Sequence, residues 1–175
     1  GDVVAAAVIL GNSLIEGLTD SKLVTAKRRT DLALEIKRTC ISWSLGRASV
    51  VEIDEINILQ ASLLAMKRAV ESLSKRPTLV LVDGDRLPNW SYAARSVIRG
   101  DITEPVISAA SILAKVHRDR EMGLLDQKYP QYGFATNKGY PTATHLKALK
   151  RFGVSPMHRR SFGPVKRLMY ESDQG

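Results

Sequence analysis

Two aspartates, Asp83 and Asp101, have the type and spacing of metal ligands. Asp83 directly follows the apolar run 79–82, and Asp101 lies 18 residues further on, after the β-prone segment 96–98. An uninterrupted apolar run bounded by turn residues predicts a buried strand, and two adjacent strands would present both carboxylates at one edge of a sheet. Converging carboxylates repel each other unless a divalent cation lies between them. The pattern therefore predicts a metal site that faces phosphate.

The charge of the chain favours a polyanionic partner. Its 26 basic and 18 acidic residues give a net charge of +8 and a pI of about 9.8. Such a surface attracts polyanions, of which nucleic acid is the commonest, although many basic proteins bind none. The single cysteine, Cys40, cannot form an internal disulfide, so we expect a reducing, cytoplasmic compartment.

Hydrophobic periodicity predicts an α/β fold. The predicted strands cover 3–10, 41–49 and 79–82, and the predicted helices cover 25–40, 50–73, 107–129 and 142–152, with a break near Asn57. This alternation predicts a central mixed sheet flanked by helices. We expect a single domain over 1–175, with 142–175 as a helical C-terminal extension, and a monomer. The apolar run 3–10 is too short to span a bilayer, so we expect no membrane partner.

Several motifs, in this order, resemble those of bacterial ribonuclease HII. They are Thr19-Asp20-Ser21-Lys22, Glu52-Ile53-Asp54-Glu55-Ile56-Asn57, Val82-Asp83-Gly84, Gly100-Asp101, Ser108-Ala109-Ala110-Ser111-Ile112-Leu113-Ala114-Lys115, Tyr132-Gly133-Phe134, Lys138-Gly139-Tyr140-Pro141-Thr142 and His158-Arg159-Arg160-Ser161-Phe162. The resemblance implies the ribonuclease H fold and a hydrolase that cleaves RNA in RNA-DNA hybrids and at single ribonucleotides in duplex DNA. It implies 3′-hydroxyl and 5′-phosphate ends, and roles in ribonucleotide removal during DNA replication and repair.

The resemblance also implies a catalytic site of four carboxylates with Mg²⁺ or Mn²⁺. Two of these acids correspond to Asp83 and Asp101. The other two form an Asp-Glu pair on a first strand, followed by Gly-Arg-Gly, and this segment would precede Gly1. We therefore expect the chain to be a piece of a longer protein, inactive and poorly stable by itself. If it folds compactly, we expect a gap beside 3–10, with Asp83 and Asp101 opening onto it.

For substrate binding, the resemblance assigns Tyr140 to the sugar at the ribonucleotide junction, next to Lys138. It assigns Ser21 and Lys22 to a loop that holds backbone phosphates, and Lys115 to a further phosphate contact. From spacing alone, the pattern favours a half-buried loop residue for Tyr140, and exposed lysines such as Lys115 are usually only solvated.

Three alternatives stay open at this point. The chain could be a non-cleaving nucleic-acid-binding module of the same fold, an inactive fragment of the enzyme, or a basic α/β protein with a small-molecule ligand. Zinc is not expected, because His117, His145 and His158 have no recurring ligand spacing and no cysteine accompanies them.

Overall fold

The computed structural model describes residues 1–18, 21 and 23–172, and it confirms the α/β class. The strands are β1 (Val3–Ile9), β2 (Ser42–Ala48), β3 (Val80–Asp83) and β4 (Ala94–Val97). The helices are α1 (Ala26–Thr39), α2 (Val50–Glu71), α3 (Gly100–Thr103), α4 (Pro105–Lys128), α5 (Phe134–Asn137), α6 (Ala143–Phe152) and α7 (Gly163–Ser172), and a 3₁₀ turn covers Pro130–Tyr132. No helix of this described part has the length and apolar character needed to cross a bilayer.

Threonine caps fix the beginnings of two predicted helices. The Thr25 hydroxyl accepts a hydrogen bond from the Arg28 N–H at 3.3 Å before α1, and the Thr142 hydroxyl accepts one from the His145 N–H at 3.2 Å before α6. These bonds satisfy N–H groups that have no partner within the first helical turn. The predicted end of this helix at residue 152 is also confirmed, and Gly153 is its C-cap.

The predicted break near Asn57 is a local cap inside α2. Asn57 has a φ of 68° and a ψ of 166°, a conformation that residues with a side chain rarely adopt. Its side-chain oxygen accepts hydrogen bonds from the N–H groups of Leu59 at 3.0 Å and Gln60 at 3.1 Å. The helix is therefore interrupted and restarted by one residue.

The described residues fall into two compact units, and we call the first the sheet unit. It comprises Val4–Arg47 and Ser62–His117. Its strands form two separate pairs, β1 with β2 and β3 with β4, and β3 and β4 are parallel with Asp83 opposite Val97. Its core joins α1 to α4 through fully buried side chains such as Leu32, Ile36 and Ile112.

The second, helical unit comprises Gly1–Val3, Ala48–Ala61 and the chain from Arg118 onward. Its buried core is aromatic and aliphatic and consists of Met122, Tyr132, Phe134, Leu149 and Val165. The carboxylate of Asp54 accepts hydrogen bonds from the backbone N–H groups of Arg160 and Ser161, both at 2.8 Å. This unit begins before the predicted boundary at residue 142, and the single-domain assignment stays a prediction.

Candidate active site

The two predicted metal ligands lie at the same end of the parallel pair β3 and β4. Asp83 is the last residue of β3, and its Oδ1 accepts a hydrogen bond from the Gly100 N–H at 2.9 Å. Asp101 is the next residue after Gly100 and belongs to the first turn of α3, directly after the β4 connection. The structure therefore brings the two aspartates together, with Asp101 on a short helix and not on a strand.

A tight turn before Asp101 makes this approach possible. Arg99 has a φ of 57°, a left-handed conformation that is uncommon for a residue with a side chain. Gly100 is buried, and a Cβ there would overlap the side chain of Ile107. The Ser108 hydroxyl donates to the Asp101 carbonyl at 2.6 Å, which ties α3 to the beginning of α4.

The donor set suits a hydrated divalent cation. Carboxylate oxygens are the ligands that Mg²⁺ and Mn²⁺ prefer, and Mg²⁺ in enzymes is commonly held by one or two carboxylates with water and substrate phosphate. Within residues 1–18, 21 and 23–172, no group of three or more His, Cys, Asp or Glu side chains is arranged to hold a metal. Asp83 and Asp101 thus bring two carboxylates to this edge, and a two-metal centre needs further carboxylates.

An apolar cavity of about 380 Å³ lies inside the sheet unit, between the two strand pairs. One wall is β1 with Leu10, and the opposite wall is the segment 77–83, which contains β3 and ends at Asp83. The remaining lining comes from α2 and the residues after it, from α4 and from Trp90. These lining residues are Met66, Val70, Leu73, Trp90, Val106, Ile107, Ala110, Ser111 and Ala114. The predicted gap beside 3–10 is present and Asp83 opens onto it, but Asp101 is not among its lining residues.

The predicted phosphate loop is only partly described. Lys22 lies outside the described residues. Ser21 is 3% exposed, and its hydroxyl lies 3.0 Å from the Ser111 hydroxyl on α4. The Arg29 guanidinium donates to the Ser21 carbonyl at 2.6 Å. These bonds give Ser21 a role in attaching the loop to α4. Lys115 lies one helical turn after Ser111 and is half-buried.

Tyr140 and Lys138 belong to the helical unit. The Tyr140 side chain is 64% exposed, so the prediction of a half-buried residue from spacing alone is wrong. Lys138 ends α5 with a φ of 51°, and its carbonyl accepts a hydrogen bond from the Arg118 guanidinium at 3.5 Å. The segment thus turns sharply and presents an aromatic ring to solvent.

Sequence reasoning missed a buried histidine pair beside this segment. The Nε2 atoms of His145 and His158 lie 3.1 Å apart, although the residues are 13 positions apart in the sequence. Nδ1 of His145 lies 2.9 Å from the Tyr140 carbonyl. The sequence signal was limited to the presence of His158 in one family-like motif, because spacing does not indicate contact between a helix and a later loop.

Comparison with known proteins agrees with the α/β fold described above. The crystal structure of the ribonuclease H2 from Pyrococcus horikoshii OT3 matches with a TM-score of 0.75 and 24% sequence identity over 100% of each chain, so the fold is that of a type 2 ribonuclease H. The sequence matches the family Ribonuclease HII over residues 1–165. The chain therefore belongs to the ribonuclease HII family, whose members are hydrolases that generally depend on divalent metal.

Proposed function

We propose that this protein is a metal-dependent endoribonuclease that cleaves RNA in RNA-DNA hybrids and at single ribonucleotides in duplex DNA, leaving 3′-hydroxyl and 5′-phosphate ends. The observation that carries the proposal is the hydrogen bond from the Gly100 N–H to Asp83, which holds one carboxylate next to the residue that bears the other. Family membership supplies the ribonuclease H activity, and the net charge of +8 supports a nucleic-acid substrate.

In this proposal Asp83 and Asp101 hold Mg²⁺ or Mn²⁺. When bound, the metal would activate a water molecule and stabilise charge on the phosphate. The contribution of the chain is orientation. The Gly100 N–H fixes one oxygen of Asp83, and the Ser108 hydroxyl fixes the backbone of Asp101. The Asp83 carboxylate and the backbone that carries Asp101 are thus held before the substrate arrives, which lowers the cost of reorganisation.

We further propose that an additional strand, bearing the family's Asp-Glu pair and Gly-Arg-Gly turn, fills the cavity between β1 and β3. The cavity supports this because two of its walls are strands and the other two are helix faces. Its apolar lining suits a strand that is buried on both faces. Because Asp83 lines the same cavity, acids on that strand would lie beside Asp83 and complete the carboxylate set.

Roles in substrate binding are proposed for five further residues. The exposed ring of Tyr140 would stack on the sugar at the ribonucleotide junction, with Lys138 beside it in sequence. Lys115 and Lys22 would contact backbone phosphates, and Ser21 would position the loop that carries Lys22. Monomeric state, cytoplasmic location and a role in DNA replication and repair stay predictions.

The carboxylate assignment is tested by substitution in a chain that carries the additional strand. Asp83→Asn should lower Mg²⁺-dependent cleavage of duplex DNA with one ribonucleotide by several orders of magnitude, because an amide is a far weaker metal ligand. The matched control is Asp85→Asn, an exposed aspartate two residues away, which should keep near-normal turnover. Near-normal cleavage by the Asp83 variant at saturating Mg²⁺ would refute the assignment.

The strand is tested by comparing residues 1–175 with the same chain preceded by an Asp-Glu and Gly-Arg-Gly strand. We expect cleavage only from the longer chain. Robust cleavage by residues 1–175 alone would show that the catalytic centre has been misplaced. Binding without cleavage by both chains would instead support a non-cleaving nucleic-acid-binding module. That second candidate is favoured by the presence of only two converging carboxylates in the described part of the chain.

A further inference from the structure

The histidine pair of the helical unit is buried among aromatic rings. His145 and His158 are 7% and 8% exposed, and the ring centroids of Tyr132 and Phe134 lie 4.9 Å and 5.6 Å from that of His158. Buried polar rings need hydrogen-bond partners. The partners of these two rings define a single chain of hydrogen bonds.

The backbone fixes the tautomer of His158. The Ser155 N–H, which can only donate, points to Nδ1 of His158 at 3.1 Å, and the Ser155 hydroxyl lies 2.8 Å from the same atom. Nδ1 is therefore an acceptor, and the ring proton of neutral His158 must be on Nε2. That proton is donated to Nε2 of His145, 3.1 Å away.

The tautomer of His145 follows from that of His158. Because Nε2 of His145 accepts, its proton is on Nδ1, and it is donated to the Tyr140 carbonyl at 2.9 Å. The hydrogen bonds therefore run in one direction, from Ser155 through both histidines to Tyr140. An additional proton on either ring would replace an acceptor by a donor and break the chain of bonds.

The chain of bonds ends at Tyr140, whose backbone carbonyl and N–H groups both make further hydrogen bonds. The Tyr140 carbonyl also accepts from the Thr142 N–H at 2.9 Å, and the Tyr140 N–H donates to the Asn137 carbonyl at 2.8 Å. The Tyr140 side chain is nevertheless 64% exposed. An exposed ring on a fixed backbone can meet a ligand without loss of backbone freedom on binding.

We propose that His145 and His158, as a neutral hydrogen-bonded pair, are positioning residues that hold Tyr140 for discrimination between ribonucleotide-containing and all-DNA duplexes. This inference rests on the proposed function of Tyr140. It assigns no chemical step to either histidine. It requires only that the hydrogen bonds from Ser155 through both rings to Tyr140 stay intact while the protein binds its substrate.

The surroundings of His158 disfavour its protonation. Burial is the main cause, and positive charge on His145 of α6 or on the N-terminus of Gly1 adds to it. The guanidinium of Arg159 binds the Gly1 carbonyl at 3.0 Å and adds positive charge nearby. The uncharged Tyr132 hydroxyl donates to the Gly153 carbonyl at 3.0 Å. Burial and these charges lower the pKa of His158 to about 4.

The test measures the affinity of the chain for a duplex with one ribonucleotide relative to the all-DNA duplex, in EDTA so that no cleavage occurs. His145→Gln loses the donor at the Nδ1 position and should lower this ratio by roughly three- to tenfold, the effect of one hydrogen bond. His145→Asn can place an amide N–H near the Nδ1 position and should restore the ratio to within about twofold.

Three outcomes decide the proposal. If His145→Gln keeps the ratio while Tyr140→Ala abolishes it, the role of Tyr140 stands and the positioning role is refuted. If Tyr140→Ala also keeps the ratio, the proposed role of Tyr140 fails and the inference falls with it. Should His145→Gln fail to fold, ¹⁵N NMR of the unchanged chain decides: protons on Nδ1 of His145 and Nε2 of His158 support the proposal, and any other tautomers overturn it.

Discussion

Acidification should destabilise the helical unit through His158. The pKa of this side chain is lowered from 6.5 to about 4, first because it is buried, and then because His145 and the N-terminal ammonium of Gly1 repel a second positive charge. In the unfolded chain the same imidazole is solvated and takes up a proton near pH 6.5. Between about pH 4 and pH 6.5, His158 is therefore protonated in the unfolded chain but neutral in the folded chain.

The sign and size of the effect follow from this difference. Where the unfolded state binds more protons than the folded state, the free energy of unfolding falls as the pH falls. Stability is complete above about pH 6.5 and is lost progressively towards pH 4. A difference of about 2.5 pH units, at about 1.4 kcal/mol per unit, gives a loss of roughly 3 kcal/mol.

Urea unfolding at intervals from pH 7.5 to pH 4 measures this loss. The comparison is between the unchanged chain and His158→Gln, which cannot titrate but keeps an amide near the Nε2 position. The variant should be less stable at pH 7.5, and the stability difference should shrink by roughly 3 kcal/mol on acidification. Parallel curves for the two chains would refute the reasoning, because general acid unfolding by carboxylates affects both alike.

Three further changes have definite expected outcomes. Gly46→Ala should destabilise the chain by about 3 kcal/mol, because a Cβ there would overlap the carbonyl oxygen of Ala65 and the backbone nitrogen of Ala69; an unchanged urea midpoint would contradict this. Duplex affinity should fall by more than roughly tenfold between 50 and 200 mM salt, because bound phosphates release counterions; a flat plot of log affinity against log salt argues against phosphate contacts. Asp101→Asn should abolish Mg²⁺-dependent cleavage in the longer chain but leave its far-ultraviolet circular dichroism unchanged, and retained turnover would remove Asp101 from the site.

Features controlled by neighbouring residues were predictable from the sequence. The caps at Thr25 and Thr142 and the break at Asn57 each depend on hydrogen bonds that span two or three residues. Hydroxyl and amide side chains at such positions accept hydrogen bonds from nearby backbone N–H groups, whatever the rest of the fold is. These elements therefore appear in the structure where the pattern placed them.

Features controlled by distant contacts were not predictable in this way. The pairing of His145 with His158 depends on how the loop after α6 returns to that helix, and residue spacing carries no signal for it. The need for glycine at position 46 arises from the close approach of α2 to β2, which periodicity does not report. Both features depend on tertiary packing, which the sequence pattern does not specify.

The position of the cavity connects the fold to the candidate active site. The resemblance predicted a gap on one side of β1, but strand order could not be deduced from the sequence, so the opposite wall was unknown. The structure makes β3 that wall, and β3 ends at Asp83. A strand that filled the cavity would therefore run beside a metal-ligand candidate. Extension of the sheet and completion of the carboxylate set would then be one event, because the residues of that strand would pair with both walls and supply further acids.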